Sequence, residues 1–244
     1  MKNIVIAGYV RSPFTLAGKG ALARTRPDEL AGQMVRSLVE RTGVEVRDIE
    51  DLILGCAFPE GEQGLNMARM VGFLADLPRS VSGVTVNRFC GSSMYAIHMA
   101  AGAIALEAGE AFICAGVESM TRVPMGGYNP LPSPALHERY PAAYISMGET
   151  AENVATRYRI TREAQDAFAV DSQTKAAAAR DAGKLDDEIV PVGEVTRDGC
   201  LRPGTSAEDL ATLKPAFDEA GTVTAGTSAP LTDGAAPPRG CGEG

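Results

Sequence analysis

The sequence predicts an α/β fold, a layered sheet with helices, whose first half reads βαβαβαβ and whose second half carries an inserted domain. Three observations carry this prediction. Extended and helical patterns alternate up to Thr121. From Arg122 to about Thr222 the texture changes to Pro, Gly, Tyr and charge. A chain of 244 residues with 45% hydrophobic content has enough apolar material for a substantial core.

The elements follow in order. Ile4 to Tyr9 reads as the first strand. Asp28 to Thr42 reads as a helix, with Asp28, next to Pro27, expected as its cap and Gly43 as its stop. Leu30, Met34, Leu38 and Arg41 fall near one face of it. Asp51 to Cys56 is extended, Leu65 to Ala75 helical, Val81 to Val86 extended, Ser92 to Ala108 helical and Ala111 to Val117 extended. The helix from Ser92 is apolar on nearly every side apart from His98, which predicts burial all round.

The segment beginning Arg122-Val123-Pro124-Met125-Gly126-Gly127 looks like an insertion. It still contains helices at Glu149 to Tyr158 and at Thr161 to Ala182, the latter opened by a Thr161 cap and ended by Gly183. Ile189-Val190-Pro191-Val192 reads as a short edge strand, where a proline is tolerated. The expected divisions are a core over 1–121, an insertion over 122–222, a return to the core over 223–236 and an atypical tail over 237–244.

Composition excludes several classes of function. A net charge of -8 argues against a nucleic-acid surface, which needs clustered Lys and Arg to replace phosphate counterions. Cys56, Cys90, Cys114, Cys200 and Cys241 form an odd set with no Cys-x-x-Cys pair, so neither a disulfide framework nor a metal site is expected. A reducing, cytoplasmic setting fits that usage. The apolar run at the N-terminus is too short for a secretory signal, and Ala96 to Val117 is interrupted by His98, Glu107 and Glu110. No membrane crossing is expected.

The stretch Asn87-Arg88-Phe89-Cys90-Gly91-Ser92-Ser93 is where chemistry concentrates. It sets a cysteine between the extended run Val81 to Val86 and the small-residue helix that follows. Cys90 is thus expected in the first turn of that helix, where unpaired N–H groups carry roughly half a positive elementary charge and favour thiolate over thiol. The plainer reading of a lone cysteine is a small buried residue. The segments around it bear on the choice.

These segments resemble the thiolase family. Besides Asn87 to Ser93, the resemblance rests on Arg11-Ser12-Pro13-Phe14, Cys114-Ala115-Gly116-Val117-Glu118-Ser119-Met120-Thr121, Met147-Gly148-Glu149-Thr150-Ala151-Glu152-Asn153, Leu213-Lys214-Pro215-Ala216-Phe217 and Gly221-Thr222-Val223-Thr224-Ala225-Gly226. It implies a thiolase-like layered fold, represented by the N-terminal half and the coenzyme A-binding loop domain. It also implies that Cys90 takes an acyl group from coenzyme A, in thiolysis of 3-ketoacyl-CoA or condensation of acetyl-CoA. The backbone N–H of Cys90 would donate to the oxyanion.

For substrate binding, the resemblance implies Arg202, placed by its spacing to Phe217, at the nucleotide portion and Met147 near the acyl group. Ser228 stands in Gly226-Thr227-Ser228-Ala229-Pro230 in place of a displaced serine contact, and Ser146 stands where a histidine is common. Coenzyme A thioesters are then substrates, no other cofactor is implied, and the partners are acyl-CoA, coenzyme A and a second copy meeting near Val84 to Asn87. The short Asn129 to Tyr144 region leans toward degradative thiolases.

What the family needs beyond the nucleophile is not found here. Its activating histidine (Gly-His-Pro), oxyanion segment (Asn-Glu-x-Phe) and second cysteine (Cys-x-Gly) belong to a second half. His98 lies eight residues along a helix from Cys90, about 12 Å at 1.5 Å per residue, beyond direct proton transfer, and is read as buried or at an interface. His137 is read as a solvated loop residue and Cys241 is given no role. The family leads from about Gly234 into an apolar helix, whereas Pro237-Pro238-Arg239-Gly240-Cys241-Gly242-Glu243-Gly244 supplies no apolar face. A reading frame interrupted near Ala236 is the expectation drawn from this.

Other motifs weigh less. Gly18-Lys19-Gly20-Ala21-Leu22-Ala23 fits a dinucleotide fingerprint, yet Pro13 separates it from its strand and Arg24 to Pro27 interrupts the helix it needs. Glu149 and Glu152, one helical turn apart, read as a solvated helix start. The rival functional readings are a ketosynthase-like condensing enzyme and a non-catalytic, partner-dependent remnant.

Overall fold

The computed structural model of the chain describes residues 3–242. Met1 and Lys2, and Glu243 and Gly244 of the expected tail, lie outside the described residues, as do the side chains of Arg239 and Cys241. The chain divides into two compact units. The first is built from the described residues of Met1–Tyr128, Asp187–Cys200 and Leu231–Gly244, and the second from Asn129–Asp186 and Leu201–Pro230.

The first unit contains strands β1 (Ile4–Tyr9), β2 (Thr15–Leu16), β3 (Ile49–Gly55), β4 (Ser82–Val86), β5 (Ala111–Ser119), β6 (Thr232–Ala236) and β7 (Pro238–Gly242), and helices α1 (Pro27–Thr42), α2 (Met67–Leu74) and α3 (Ser92–Ala105). Among the described residues the strands form one sheet in the order β1-β7-β5-β3-β4, with β6 pairing β5 and β2. β4 and β5 both run parallel to β3, and β6 and β7 run antiparallel to β5. Parallel neighbours need a crossover, and α2 and α3 supply one each.

Alternation along the strands sorts the core into two layers. In register, Leu52 faces Ile113 and Leu54 faces Ala115, and these side chains pack with Met34, Leu38, Met67 and Val71 of α1 and α2. Ile53 and Cys114 point to the opposite face and pack with Ala96, Ala100 and Ile104 of α3. Period-two strands thus bury both faces of the central sheet, as expected for strands that read as nearly continuous apolar runs.

α1 begins with Pro27 at its first position, where a missing N–H costs nothing, and ends at Gly43 with φ 62°. Asp28 is not its cap, correcting the expectation. Arg26 occupies that position without a side-chain cap, and the Asp28 carboxylate instead accepts from the Glu29 N–H and the Arg26 guanidinium. Leu30, Met34 and Leu38 are buried as expected, while Arg41 is exposed. α2 starts two residues later than its pattern suggests, because Leu65 adopts φ 58°.

α3 departs from its reading in the same way. Ser92, Ala96, Ala100 and Ile104, one i, i+4 ridge, are buried on the sheet, whereas Met94 is 65% and Leu106 83% exposed. Its composition is apolar on every side, but within the described residues only the sheet side is fully covered.

The segment 189–192 is not a strand. Ile189 makes a single bridge to Arg11 and Val192 one to Val195. Arg11 is fixed there by Glu188 at 2.7 Å and by both carboxylate oxygens of Asp198 at 2.7 and 2.9 Å. No helix starts near Gly234, where the family resemblance places one. The backbone there is extended, and β7 lies between β1 and β5 with ladder partners on both sides. Pro238 enters at the first strand position, where its missing donor is tolerated.

The second unit is helical. It contains α4 (Pro134–Arg139), α5 (Met147–Tyr158), α6 (Arg162–Asp181) and α7 (Ala207–Ala211). Ser146 caps α5 in a reciprocal box: its hydroxyl accepts from the Glu149 N–H at 3.1 Å, and its own N–H donates to Glu149 at 2.8 Å. Donation from the Ser146 N–H, with the Ser146 hydroxyl beside it, holds the exposed Glu149 carboxyl below its usual range. Thr161 caps α6 as read, accepting from Ala164 at 3.2 Å. No described helix is long and apolar enough to cross a membrane.

Candidate active site

The site is built where β4 turns into α3. Thr85 and Val86 keep the chain extended to the end of β4, and the turn Asn87 to Gly91 must then reverse it into the helix. A turn this sharp is made with side-chain acceptors. The Asn87 Oδ1 accepts from the Phe89 N–H at 2.8 Å, closing an Asx turn. The Ser92 Oγ accepts from the Arg88 N–H at 2.8 Å and donates to the Phe89 carbonyl at 2.6 Å. Phe89 takes φ 48°, a left-handed conformation that costs a branched or bulky residue about 1–3 kcal/mol and that these bonds hold in place.

Cys90 sits on the outer side of this elbow, exposed and as a free thiol. It precedes Gly91, which is the helix cap, so it lies two residues before Ser92 and not in the first turn of α3. Its thiol is therefore presented ahead of the helix start rather than within it. The Arg88 guanidinium lies 3.9 Å above the Tyr95 ring, turned onto α3 by the same reversal.

Close approach of α3 to the sheet brings the elbow to the C-terminal ends of β3 and β5. A Cβ on Gly55 would lie 2.5 Å from the Ser93 nitrogen, and one on Gly116 would lie 2.7 Å from the Ser93 Cβ. Both positions need glycine for the helix to seat. Sites in α/β sheets collect at these strand ends.

Behind the elbow lies a polar cluster that the sequence reading gave no role. The Glu118 carboxylate accepts from the Ala57 N–H at 2.7 Å and from Gln63 Nε2 at 2.7 Å, and Gln63 in turn accepts from the Ser119 N–H at 2.6 Å. The Asn87 Nδ2 donates to the Ala57 carbonyl at 2.9 Å. Asn87, Ser92 and Glu118 all stand within segments that carried the family resemblance. An asparagine two residues before a turn N–H is a local signal for Asn87; nothing local marks Glu118.

The other described cysteines differ from Cys90. Cys56 and Cys114 are buried, and burial pushes each thiol up to about 12, helped at Cys56 by the nearby Glu118 charge. Cys200 is half-buried. His98 is exposed on α3, which overturns the buried alternative of its reading and not the interface one. His137 is exposed, on α4 and with its ring 6.2 Å from that of Tyr144. After Gly18 and Gly20 the chain makes turns until α1, so the dinucleotide fingerprint lacks its helix.

Met147, Arg202 and Ser228 belong to the second unit. Met147 opens α5 and is 69% exposed. Arg202 is exposed, and its backbone N–H donates to Gln173 Oε1 at 2.9 Å. The Ser228 hydroxyl donates to the Thr224 carbonyl at 2.8 Å, which fixes the loop after Val223. Glu152, read as solvated, accepts from the N–H groups of Thr222 and Val223 at 2.9 and 2.7 Å.

Comparison with known proteins meets this geometry. The family model described as "Thiolase, N-terminal domain" matches residues 4–237. A 3-ketoacyl-CoA thiolase of Bacillus subtilis (strain 168) is 48% identical over 254 residues, covering 97% of this chain and 65% of that protein. A 3-ketoacyl-CoA thiolase of Psychrobacter sp. (strain PRwf-1) is 42% identical, covering 96% of this chain and 62% of that protein. The crystal structure of the Bacillus anthracis acetyl-CoA acetyltransferase superposes with a TM-score of 0.88 at 38% identity, covering all of this chain and 66% of the other. The chain thus spans just under two thirds of the length of these relatives.

Proposed function

We propose a function for this chain, which belongs to the thiolase family: it supplies the acyl-accepting cysteine of an acyl-CoA C-acyltransferase. The relatives named 3-ketoacyl-CoA thiolase favour thiolysis of 3-ketoacyl-CoA, with condensation of acetyl-CoA as its reverse.

In this reading the Cys90 thiolate attacks the ketone carbon of a 3-ketoacyl-CoA, and the bond between that carbon and the α-carbon breaks. The electron pair leaves with the α-carbon, which takes a proton and departs as acetyl-CoA. The shortened acyl group stays on Cys90 as a thioester. A coenzyme A thiol then attacks the thioester carbonyl, gives up its proton and releases the Cys90 thiolate. The Cys90 N–H is one donor to the oxyanion of each step. The groups that take and return protons are those that the family carries in its second half.

Met147 and Arg202 are proposed contacts to the acyl group and the nucleotide of coenzyme A, and Ser228 a substrate contact in place of a displaced serine, with no cofactor beyond the thioester itself. The setting is fatty acid metabolism in the cytoplasm, with a homo-oligomer as the working form. The observation that carries the reading is the exposed thiol of Cys90 on a hydrogen-bonded elbow between β4 and α3. Thiolysis of acetoacetyl-CoA by the protein in its full length tests it. Turnover that Cys90→Ser abolishes supports the reading, and turnover that survives the substitution refutes it.

One observation favours a second reading, that the chain is a partner-dependent fragment without turnover of its own. Met94 on α3 and Leu106 at its C-terminal cap stand in solvent, and a partner is what would cover exposed apolar side chains of this size. Purified chain that binds an apolar dye and turns over no substrate supports this alternative.

A further inference from the structure

We infer that Glu118 and Asn87 are positioning residues for Cys90, acting in series through the turn at Ala57; the inference rests on the proposed role of Cys90 as acyl acceptor. The path is continuous. Glu118, near the end of β5, accepts from the Ala57 N–H at 2.7 Å and from the Phe58 N–H at 3.4 Å. The carbonyl of the same Ala57 accepts from Asn87 Nδ2 at 2.9 Å, and Asn87 Oδ1 accepts from the Phe89 N–H at 2.8 Å. Phe89 is bonded to Cys90.

Each link fixes a direction. An amide side chain has a donor end and an acceptor end, and Asn87 uses the first on the β3 loop and the second on the elbow. Its orientation is set by the Ala57 carbonyl, whose position is set by the carboxylate clamping the N–H groups on either side of it. A second contact joins the same two turns, since the Phe58 and Phe89 rings lie 6.1 Å apart between centroids. Gln63, fully buried, keeps Glu118 itself in place by donating to it at 2.7 Å while accepting from Ser119 at 2.6 Å.

This arrangement accounts for how Phe89 stays at φ 48° without a glycine. The elbow is strained; its acceptor is the local Asn87, and the carboxylate at the far end of the path comes from β5, two places from β4 in the sheet. Removing either end lets Phe89 relax and moves the Cys90 sulfur relative to α3. Asn87 is exposed and Glu118 half-buried, so substitution at Asn87 leaves the core intact.

The experiment measures the second-order rate of Cys90 alkylation by iodoacetamide, by peptide mass mapping and as a function of pH, with Cys200 as the internal control. Asn87→Ala, Glu118→Gln and the double variant are compared with the parent, and Asn87→Asp, which keeps the acceptor and loses the donor, is the conservative test. The expected result is a change of about three- to tenfold at Cys90 in each single variant. Cys200 is unchanged, and the double variant shows no more than the larger single effect, because both residues act through Ala57. Additive effects, or an unchanged Cys90 rate in Asn87→Ala and Asn87→Asp, overturn the inference. Acyl labelling of the parent from acetyl-CoA is read in parallel. Failure of that label with the coupling intact counts against the acyl-transfer reading and leaves the positioning path standing.

Discussion

Gly55 and Ser93 approach so closely that a Cβ on Gly55 would lie 2.5 Å from the Ser93 nitrogen. The last residue of β3 thereby sets how near the start of α3, and with it the cysteine elbow, can come to the sheet. The nearest atoms are backbone, which cannot swing aside as a flexible side chain does. Gly55→Ala is expected to destabilise the protein by about 1–3 kcal/mol through overpacking. Urea unfolding checks this, and a midpoint equal to that of the parent contradicts it.

Among Cys56, Cys90, Cys114 and Cys200, Cys90 is exposed while Cys56 and Cys114 are buried with thiols pushed up to about 12. Native alkylation at pH 8 is expected to label Cys90 and to spare Cys56 and Cys114 until the protein unfolds. Burial favours the neutral thiol, so the folded state holds these protons at a pH where the unfolded state, with an ordinary value of 9.0, releases them. The contribution is complete below pH 9 and is lost as pH rises toward about 12. Urea midpoints are expected to fall across that window, and to fall less in Cys114→Ala.

Arg11 and Asp198 form the bidentate pair that ties residues 187–200 to β1 and the turn after it. Burial alone would raise the Asp198 carboxyl, but hydrogen bonds from Arg11 and the Phe14 N–H, with the Arg11 charge, outweigh it and hold the carboxyl below its usual 3.8. A depressed carboxyl stabilises the fold above its unfolded value, and that stability is lost as pH falls through the folded one. Arg11→Met is expected to cost about 1–2 kcal/mol, the pair being half-buried and partly screened. Acid unfolding of the variant then shows a shallower dependence below pH 4.

Glu152 carries the loop at Thr222 and Val223. Glu152→Ala leaves two backbone N–H groups without their acceptor and is expected to cost about 1–3 kcal/mol. Hydrogen exchange locates the effect: protection is lost at residues 222 and 223 and kept in α6. Uniform loss across the second unit contradicts a local role.

Much of the fold was legible because it follows from short-range pattern. Asp51 to Cys56 reads as extended, Gly43 stops α1, and Thr161 caps α6. What the pattern misjudged was tertiary. Asp28 has the chemistry of a cap, but Pro27 fills the first helical position and moves the cap back to Arg26. α3 is apolar throughout, yet composition does not say what lies over a face, and Met94 and Leu106 are left open. β7 has little strand propensity of its own; it is held by ladders to β1 and β5, which no local window contains.

The site divides in the same way. Cys90 could be read from its place between an extended run and a helix, and the elbow is where that reading put it, shifted outward by two residues. Its support could not. Asn87 and Ala57 are thirty residues apart and Glu118 and Ala57 sixty-one, so the contacts exist only once β3, β4 and β5 are side by side.

The most direct test of the central claim is peptide mass mapping of the protein in its full length after brief exposure to acetyl-CoA. A single acetyl group is expected on the peptide that carries Cys90, removed by added coenzyme A and missing from Cys90→Ser. An acetyl group on Cys56, Cys114, Cys200 or any other residue, with Cys90 unlabelled, contradicts it.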